Sequence, residues 1–292
     1  MRVLILGGSG MLGHRLWMEL SPFHEVWVTV RKAAAEFPPL PNVDRSRIRE
    51  GVDAADFDNV IRAFASIEPE LVINCIGLIK QHPLCNDPLT TIEVNARLPH
   101  RLSLVCRTAG IRLIHVSTDC VFSGRRGCYT EHDAPDAEDL YGRTKLLGEL
   151  TYPHTLTIRT SLIGRELTTR YGLTEWFLSQ RRPVNGFKRA IFSGLTSRAF
   201  ADVLLEYVIP TPSLRGLYQV SSEAISKHDV LQLMNKAFRK NLEIRPDCEL
   251  VCDRSLDSSR FCATTGFKAP SWPEMIEMMA ADPTPYDQWK YR

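Results

Sequence analysis

The apolar positions in the first half of the chain alternate between two periods. RVLIL at 2–6 is an unbroken apolar run, and residues 11–20, after the glycines, read as a helix. EVWVTV at 25–30 is a second strand. In 56–67, DFDNVIRAFASI, the apolar Phe57, Val60, Ile61 and Phe64 fall at helical spacing. LVINCIG at 71–77 is another continuous run. A helix around 90–109 follows, with Val94, Leu98, Leu102 and Val105 at the same spacing. IRLIHVS at 111–117, a helix at 140–151 and TLTIRTSLI at 155–163 complete the series. Strands that are apolar at every position are buried on both faces, and the intervening helices supply the cover. The pattern predicts an α/β fold with a doubly wound parallel sheet.

The rhythm breaks after about residue 164. Pro183, Asn185 and Gly186 read as a chain break. FADVLLEYVI then returns to a helix, GLYQVS at 216–221 to a strand, and 226–239 to a helix. The last stretch is Pro-rich and predicts loop, with one short helix near 273–281. No internal repeat or low-complexity tract interrupts the chain.

Composition narrows the class little. The 292 residues are 44% hydrophobic and 24% charged, ordinary for a globular protein. The net charge is 36 − 34 = +2, which offers no field for nucleic acid or a polybasic membrane contact. No apolar run approaches the ~20 residues of a membrane span. The apolar start of MRVLILGGSG is too short for a signal peptide and reads as a buried strand. The eight cysteines, at 75, 85, 106, 120, 128, 248, 252 and 262, form no CxxC and no zinc spacing. Cys75 and Cys106 sit in apolar periodic segments and read as small core residues. A reduced, cytoplasmic protein without a structural metal is the expectation.

GGSGMLG changes the picture. Gly7, Gly10 and Gly13, with Met11 and Leu12 between them, follow a strand and open a helix. That is the context in which glycines admit a pyrophosphate to the backbone. The second strand ends VTVRK. An acid there would bind the ribose 2′-hydroxyl of NAD; Arg31 and Lys32 suit the 2′-phosphate of NADP. Two solvated residues at a strand end are the bland alternative. Asp53 either accepts from the adenine amino group or caps a turn. Cys75, Ile76 and Gly77, at the end of the 71–77 strand, are further cofactor candidates.

Ser117 and Thr118 close the 111–117 strand at its carboxyl end, where open α/β sheets bind ligands. In YGRTK, Tyr141 and Lys145 share one helical face. Alone this is a common coincidence. Beside the hydroxyl and the glycine loop it makes a carbonyl-reduction set. The hydroxyl orients the carbonyl oxygen and the tyrosine gives the proton. The lysine lowers the tyrosine from its usual ~10 and can hold the nicotinamide ribose.

With VNA at 94–96, STD-x-VF-x-G at 117–124, Y-x-E-x-D at 129–133 and YG-x-TK-x-x-GE at 141–149, the chain resembles the extended short-chain dehydrogenase/reductases over residues 1 to about 205. It is most similar to the dTDP-4-dehydrorhamnose reductase type of nucleotide-sugar 4-ketoreductase. The resemblance implies that Thr118 is the active-site hydroxyl, Tyr141 the acid, Lys145 its partner and Asn95 the helix asparagine near the site. Substrate contacts are expected from Ser117, Thr118, Asp119, Val121, Phe122, Trp176 and Arg198, and the resemblance places Arg159 on a substrate-facing strand. The family motif usually reads STDYVFDG; here Cys120 and Ser123 stand in place of Tyr and Asp. Related dehydratases carry Glu where Cys120 stands, so dehydration lacks its base and simple reduction is implied.

Arg181, Arg182, Lys188, Arg189 and Arg198 are each either diphosphate contacts or a solvated basic face. Trp176 and Phe177 either stack on a base or sugar or pack in the core. The expected organisation is an NADP-binding Rossmann domain over 1–163, completed by about 199–222, with an interleaved substrate-binding lobe over 164–198 and 223–292. The expected activity is NADPH-dependent reduction of a 4-keto-6-deoxy nucleotide sugar for deoxysugar or surface-polysaccharide synthesis, by a protein that is a homodimer on base rates. Two alternatives stand beside it: an NAD-dependent nucleotide-sugar epimerase, and a non-catalytic regulatory subunit on the same fold.

Overall fold

The computed structural model describes residues 1–289. In chain order the elements are β1 (Arg2–Leu6), α1 (Met11–Leu20), β2 (Glu25–Thr29), β3 (Ile48–Arg49), α2 (Phe57–Ile67), β4 (Leu71–Asn74), α3 (Pro88–Thr91), α4 (Leu98–Thr108), β5 (Arg112–Thr118), α5 (Leu140–Leu147), β6 (Thr155–Thr160) and β7 (Leu162–Ile163). There follow α6 (Leu173–Ser179), β8 (Val184–Phe187), β9 (Ala190–Phe192), β10 (Leu195–Thr196), α7 (Ser197–Val203), β11 (Gly216–Gln219), β12 (Ile225–Ser226) and α8 (Lys227–Ala237). The last are β13 (Ile244–Asp247), β14 (Cys252–Asp253), α9 (Ser259–Thr265), α10 (Trp272–Ala280) and α11 (Tyr286–Trp289).

Seven strands form one parallel sheet in the order β11-β6-β5-β4-β1-β2-β3. The order reverses between β1 and β4, the switch point beyond which such sheets bind ligands. β1 shows why its run is wholly apolar. Val3 and Ile5 enter one core cluster, Leu4 and Leu6 the other, and all four are fully buried. α1 and α7 pack together on the first side; α2 and α4 cover the second with Phe57, Val60, Phe64, Leu98 and Leu102.

Several expectations shift. Ile61 is 42% exposed, because Val60, Phe64 and Ile67 set the centre of the buried face of α2 and Ile61 lies on its flank. The helix expected around 90–109 starts at Pro88 and contains a π-helical turn, Ile92–Arg97, between α3 and α4. The 140–151 helix stops at Leu147, with Gly148 as its cap.

The larger differences lie beyond β6. β8 occupies the segment where Pro183, Asn185 and Gly186 predicted a break. It pairs in parallel with β13, Val184 opposite Ile244. β12, β9 and β14 form a three-stranded sheet, antiparallel on one side of β9 and parallel on the other. The expected terminal loop therefore holds β13, β14, α9 and α11 as well as α10. Pro246 is tolerated in β13 because that sheet has only two strands and its edges are free. One core cluster runs from Ile5 in the main sheet to Phe192 and Trp272 in this lobe.

The eight cysteines are free thiols. Among the described residues no helix is long and apolar enough to cross a membrane, and no group of three His, Cys, Asp or Glu is placed to hold a metal ion.

Candidate active site

The loop after β1 is made by backbone against backbone. Gly7 has φ +86°, and the Gly10 amide donates to its carbonyl at 3.1 Å. A Cβ on Gly13 would lie 2.1 Å from that same carbonyl oxygen, so only glycine lets α1 start directly over the loop. Gly10 begins α1 without a side-chain cap, and no acid stands in the first turn. Unsatisfied amides and a positive helix end suit a diphosphate. Met11 lies against Gly164 and Gly172, whereas the Leu12 side chain belongs to the core rather than to a cofactor surface.

Arg31 and Lys32 are exposed just past β2. Lys32 pairs with Glu36 at 3.2 Å; Arg31 has no carboxylate partner among the described residues. Asp53, left open above, takes the turn role, accepting the Ala55 amide at 2.9 Å. At the end of β4, Ile76 packs against Gly7, and Gly77 lies beside Asn95 and the Lys145 ammonium. Burial pushes the Cys75 thiol up to about 12, with nearby Lys145 opposing. Glycine cradle, uncapped helix end and Gly77 beside the lysine form one continuous path, and it fits a dinucleotide.

Thr118 ends β5. Its hydroxyl accepts the Cys120 amide and donates to Asp119, both at 3.1 Å. α5 brings Tyr141 beside it. Asp139 caps that helix through the Gly142 amide at 2.9 Å and pairs with Lys80 at 2.7 Å. A Cβ on Gly142 would sit 2.2 Å from the Cys120 carbonyl oxygen. The glycine in YGRTK thus lets the helix meet the 118–121 turn, and the Tyr141 phenol comes within hydrogen-bond reach of Thr118.

Burial, then the charges of Cys120, Asp119 and Asp139, push the phenol well above its usual value, against the Thr118 hydrogen bond. The expected lowering of Tyr141 by Lys145 is therefore not what this structure holds. The Lys145 ammonium instead donates to the Val116 carbonyl at 2.8 Å. Burial pushes it down to about 8, opposed by Glu149 and Cys75. A phenol that stays neutral is a proton donor in waiting. Asn95 clamps the neighbouring loop, accepting the Leu78 amide at 2.8 Å and donating to the Leu78 carbonyl at 3.0 Å. It stands in the π-helical turn, a feature frequent at functional sites.

Other expected contacts are placed elsewhere. Strand alternation turns Ser117 away from Thr118. Its hydroxyl donates to Glu149 at 2.7 Å, and Glu149 also holds Arg159 at 2.8 and 2.7 Å. Ser117 and Arg159 are thus joined in one buried network through Glu149. Val121 and Phe122 are fully buried, and Phe122 stacks on Tyr129 at 4.1 Å, so they pin the turn from behind. Trp176 is 37% exposed on α6 while Phe177 fills the core. Arg198 pairs with Glu19 at 2.7 Å and Asp202 at 3.3 Å, which turns it toward α1. Lys188 pairs with Asp229 at 3.1 Å.

Two cations escaped sequence reasoning. Lys227, the first residue of α8, has its Nζ 3.4 Å from the Phe192 ring centroid and within range of Asp119 and Cys120. Arg254, just past β14, donates to the Phe122 carbonyl at 2.8 Å and the Ser123 carbonyl at 3.2 Å. No local pattern marks either one. A cleft of about 230 Å³ opens beside Tyr141, lined by Lys80, Cys85, Asn86, Asp139 and Leu140. A larger depression of about 360 Å³ on α4, lined by Leu104, Val105, Thr108 and Ala109, carries no ionisable group, so the smaller cleft is the one that bears on the chemistry.

A family model described as RmlD substrate binding domain matches residues 1–283. Methionine adenosyltransferase 2 subunit beta of Rattus norvegicus is 30% identical over 150 residues, which are 51% of this chain and 41% of that protein. The match thus spans about two fifths of that curated relative's length. A hypothetical dTDP-4-dehydrorhamnose reductase from Sulfolobus tokodaii has a similar structure, with TM-score 0.77 and 26% identity, covering 93% of this chain and 98% of that one. The dTDP-4-dehydrorhamnose reductase of Bacillus anthracis, solved in complex with NADP, shares the fold at TM-score 0.78 and 20% identity, covering 95% and 98%.

Proposed function

The chain belongs to the RmlD substrate binding domain family, and on that premise we propose that it is an NADPH-dependent reductase of a 4-keto-6-deoxy nucleotide sugar. The observation that carries the reading is a neutral Tyr141 phenol within reach of the Thr118 hydroxyl, at the carboxyl edge of the sheet and one helical turn from Lys145. Bound cofactor supplies the hydride for the carbonyl carbon. Thr118 orients the carbonyl oxygen, and Tyr141 gives that oxygen its proton. Lys145, charged below about pH 8, steadies the phenolate left behind. Arg31, exposed and unpaired past β2, is assigned to the 2′-phosphate. The remaining residues fit reduction and not dehydration, because Cys120 stands where a dehydratase would need a carboxylate base. Residues 164–198 and 223–289 are assigned to the nucleotide sugar, and the setting is cytoplasmic deoxysugar or surface-polysaccharide synthesis.

The test is purified protein with NADPH or NADH and a panel of dTDP-, UDP- and GDP-linked 4-keto-6-deoxy sugars. Oxidation of NADPH by at least one sugar is expected. If neither cofactor is oxidised with any sugar, the reading falls. NAD retained through purification would favour an epimerase. The similarity to a methionine adenosyltransferase subunit supports a second reading, a regulatory subunit. Co-purification with a methionine adenosyltransferase and no turnover on the panel would favour that one.

A further inference from the structure

The three-stranded sheet of the C-terminal lobe delivers three side chains to one place. Phe192 ends β9, Lys227 follows β12, which pairs with β9, and Arg254 follows β14 on the other side of β9. The opposite wall is the 118–123 turn. Arg254 is tied to it through the Phe122 and Ser123 carbonyls, and the Asp253 amide reaches the Gly124 carbonyl at 2.7 Å. The two walls are thus held in register, and Lys227 lies between them.

Lys227 is half-buried and differs from Lys145 and Arg159, the fully buried cations near the site. Lys145 donates to Val116 and Arg159 to Glu149. The Lys227 ammonium has three protons to donate, and among the described residues its one close partner is the face of the Phe192 ring. The groups whose charge reaches it are Asp119, Cys120, Arg254 and Cys252. Asp119 and Cys120 are also the groups that act on the Tyr141 phenol. Lys227 and Tyr141 therefore face one turn, and a ligand group within reach of Lys227 belongs to the reacting end of the substrate. A half-buried ammonium held over a ring face keeps protons free to donate, and a sugar oxygen supplies an acceptor.

We propose that Lys227 is a substrate-binding residue that donates to an oxygen of the sugar ring beside the reacting carbonyl, so that the C-terminal lobe reads the sugar and not only the nucleotide. This rests on the reductase reading. The test compares wild type, Lys227→Met and Lys227→Gln, each checked for an unchanged melting temperature. It measures KM and kcat for a 4-keto nucleotide sugar found with the panel above. It also measures calorimetric affinities for dTDP, a dTDP-sugar and NADP⁺.

Loss of one charged hydrogen bond predicts KM and dTDP-sugar Kd raised about tenfold or more, with dTDP and NADP⁺ affinities within about twofold. Unchanged sugar affinity in both variants, with wild type active, overturns this inference alone. Equal losses for dTDP and dTDP-sugar overturn it too, since Lys227 would then serve the diphosphate or the fold. Wild type that neither binds a dTDP-sugar nor turns over any sugar overturns both readings.

Discussion

β5 and β8 are both short strands, yet only β5 is visible in the sequence. β5 sits between two parallel neighbours, so every side chain is buried or paired and the run reads LIHVS without interruption. β8 reads VNGF, with Val184 and Gly186 buried and Asn185 and Phe187 exposed. It exists because β13, far along the chain, pairs with it. The contrast extends to chemistry. Thr118 ends a strand that its own apolar run predicts, and Tyr141 and Lys145 lie on a helix that its helix-forming residues and Asp139 cap predict locally. Lys227 and Arg254 lie on elements defined by their partners.

If the sheet edge holds the reacting groups, the largest effect should come from its smallest change. Tyr141→Phe removes one oxygen from a half-buried ring. Turnover should fall about 10²–10⁴-fold, the usual contribution of a positioned general acid, with NADP⁺ affinity within about twofold by calorimetry. Surviving activity would move the proton donor elsewhere and break the comparison. Gly142→Ala sharpens it. The added methyl meets the Cys120 carbonyl and must push α5 off the turn. An ångström of misplacement costs roughly 10²-fold in kcat, and overpacking costs about 1–3 kcal/mol in thermal unfolding. A variant as active as wild type would show that the close contact does not set the Tyr141 position.

What sequence reading recovered follows the same division. The glycine loop was legible because close backbone approach admits one residue type, and strand, loop and helix are adjacent in the chain. Ser117 was expected at the substrate, and its hydroxyl goes to Glu149, because neighbours on a strand face opposite sides and no composition signal says which side holds the ligand. Val121 and Phe122 were expected at the substrate and are fully buried, because family motifs record packing as well as contact. Arg198 carried a charge that fitted a diphosphate, but its carboxylate partners lie on α1 and one turn ahead on its own helix.

Two intermediate effects follow on the sheet side. Arg31→Ala should raise KM for NADPH about tenfold and leave KM for NADH nearly unchanged, the loss of one charged phosphate contact. Equal effects on both cofactors would free Arg31 from the 2′-phosphate. The pH profile tests Lys145, which stands at about 8 in the folded chain against an unfolded 10.5. kcat/KM should halve near pH 8 and keep falling above it as the ammonium is lost. Between those two values the unfolded chain holds a proton that the folded chain has released. Stability should therefore rise with pH over the window where activity falls. Activity that stays flat through pH 9 would remove Lys145 from the proton-transfer step.

The smallest effect is expected from Arg198→Ala, and it is the sharpest test of the contrast. Arg31 and Arg198 are both arginines of the chain surface, and both were candidates for a phosphate. Among the described residues Arg31 has no carboxylate partner, whereas Arg198 is held by Glu19 on α1 and by Asp202 on α7 itself. A guanidinium satisfied by two carboxylates has little left for a ligand. These pairs are only partly exposed, and Glu19 keeps Arg15 as a partner, so the variant should lose about 1 kcal/mol of stability. KM for the nucleotide sugar should change less than about twofold, against about tenfold for Lys227→Met. If Arg198→Ala instead raises that KM tenfold while Lys227→Met does not, the lobe meets its ligand on the α1 side. The cations would then have to be assigned by charge pattern, as the sequence alone invites, and not by which of them the fold leaves without an acceptor.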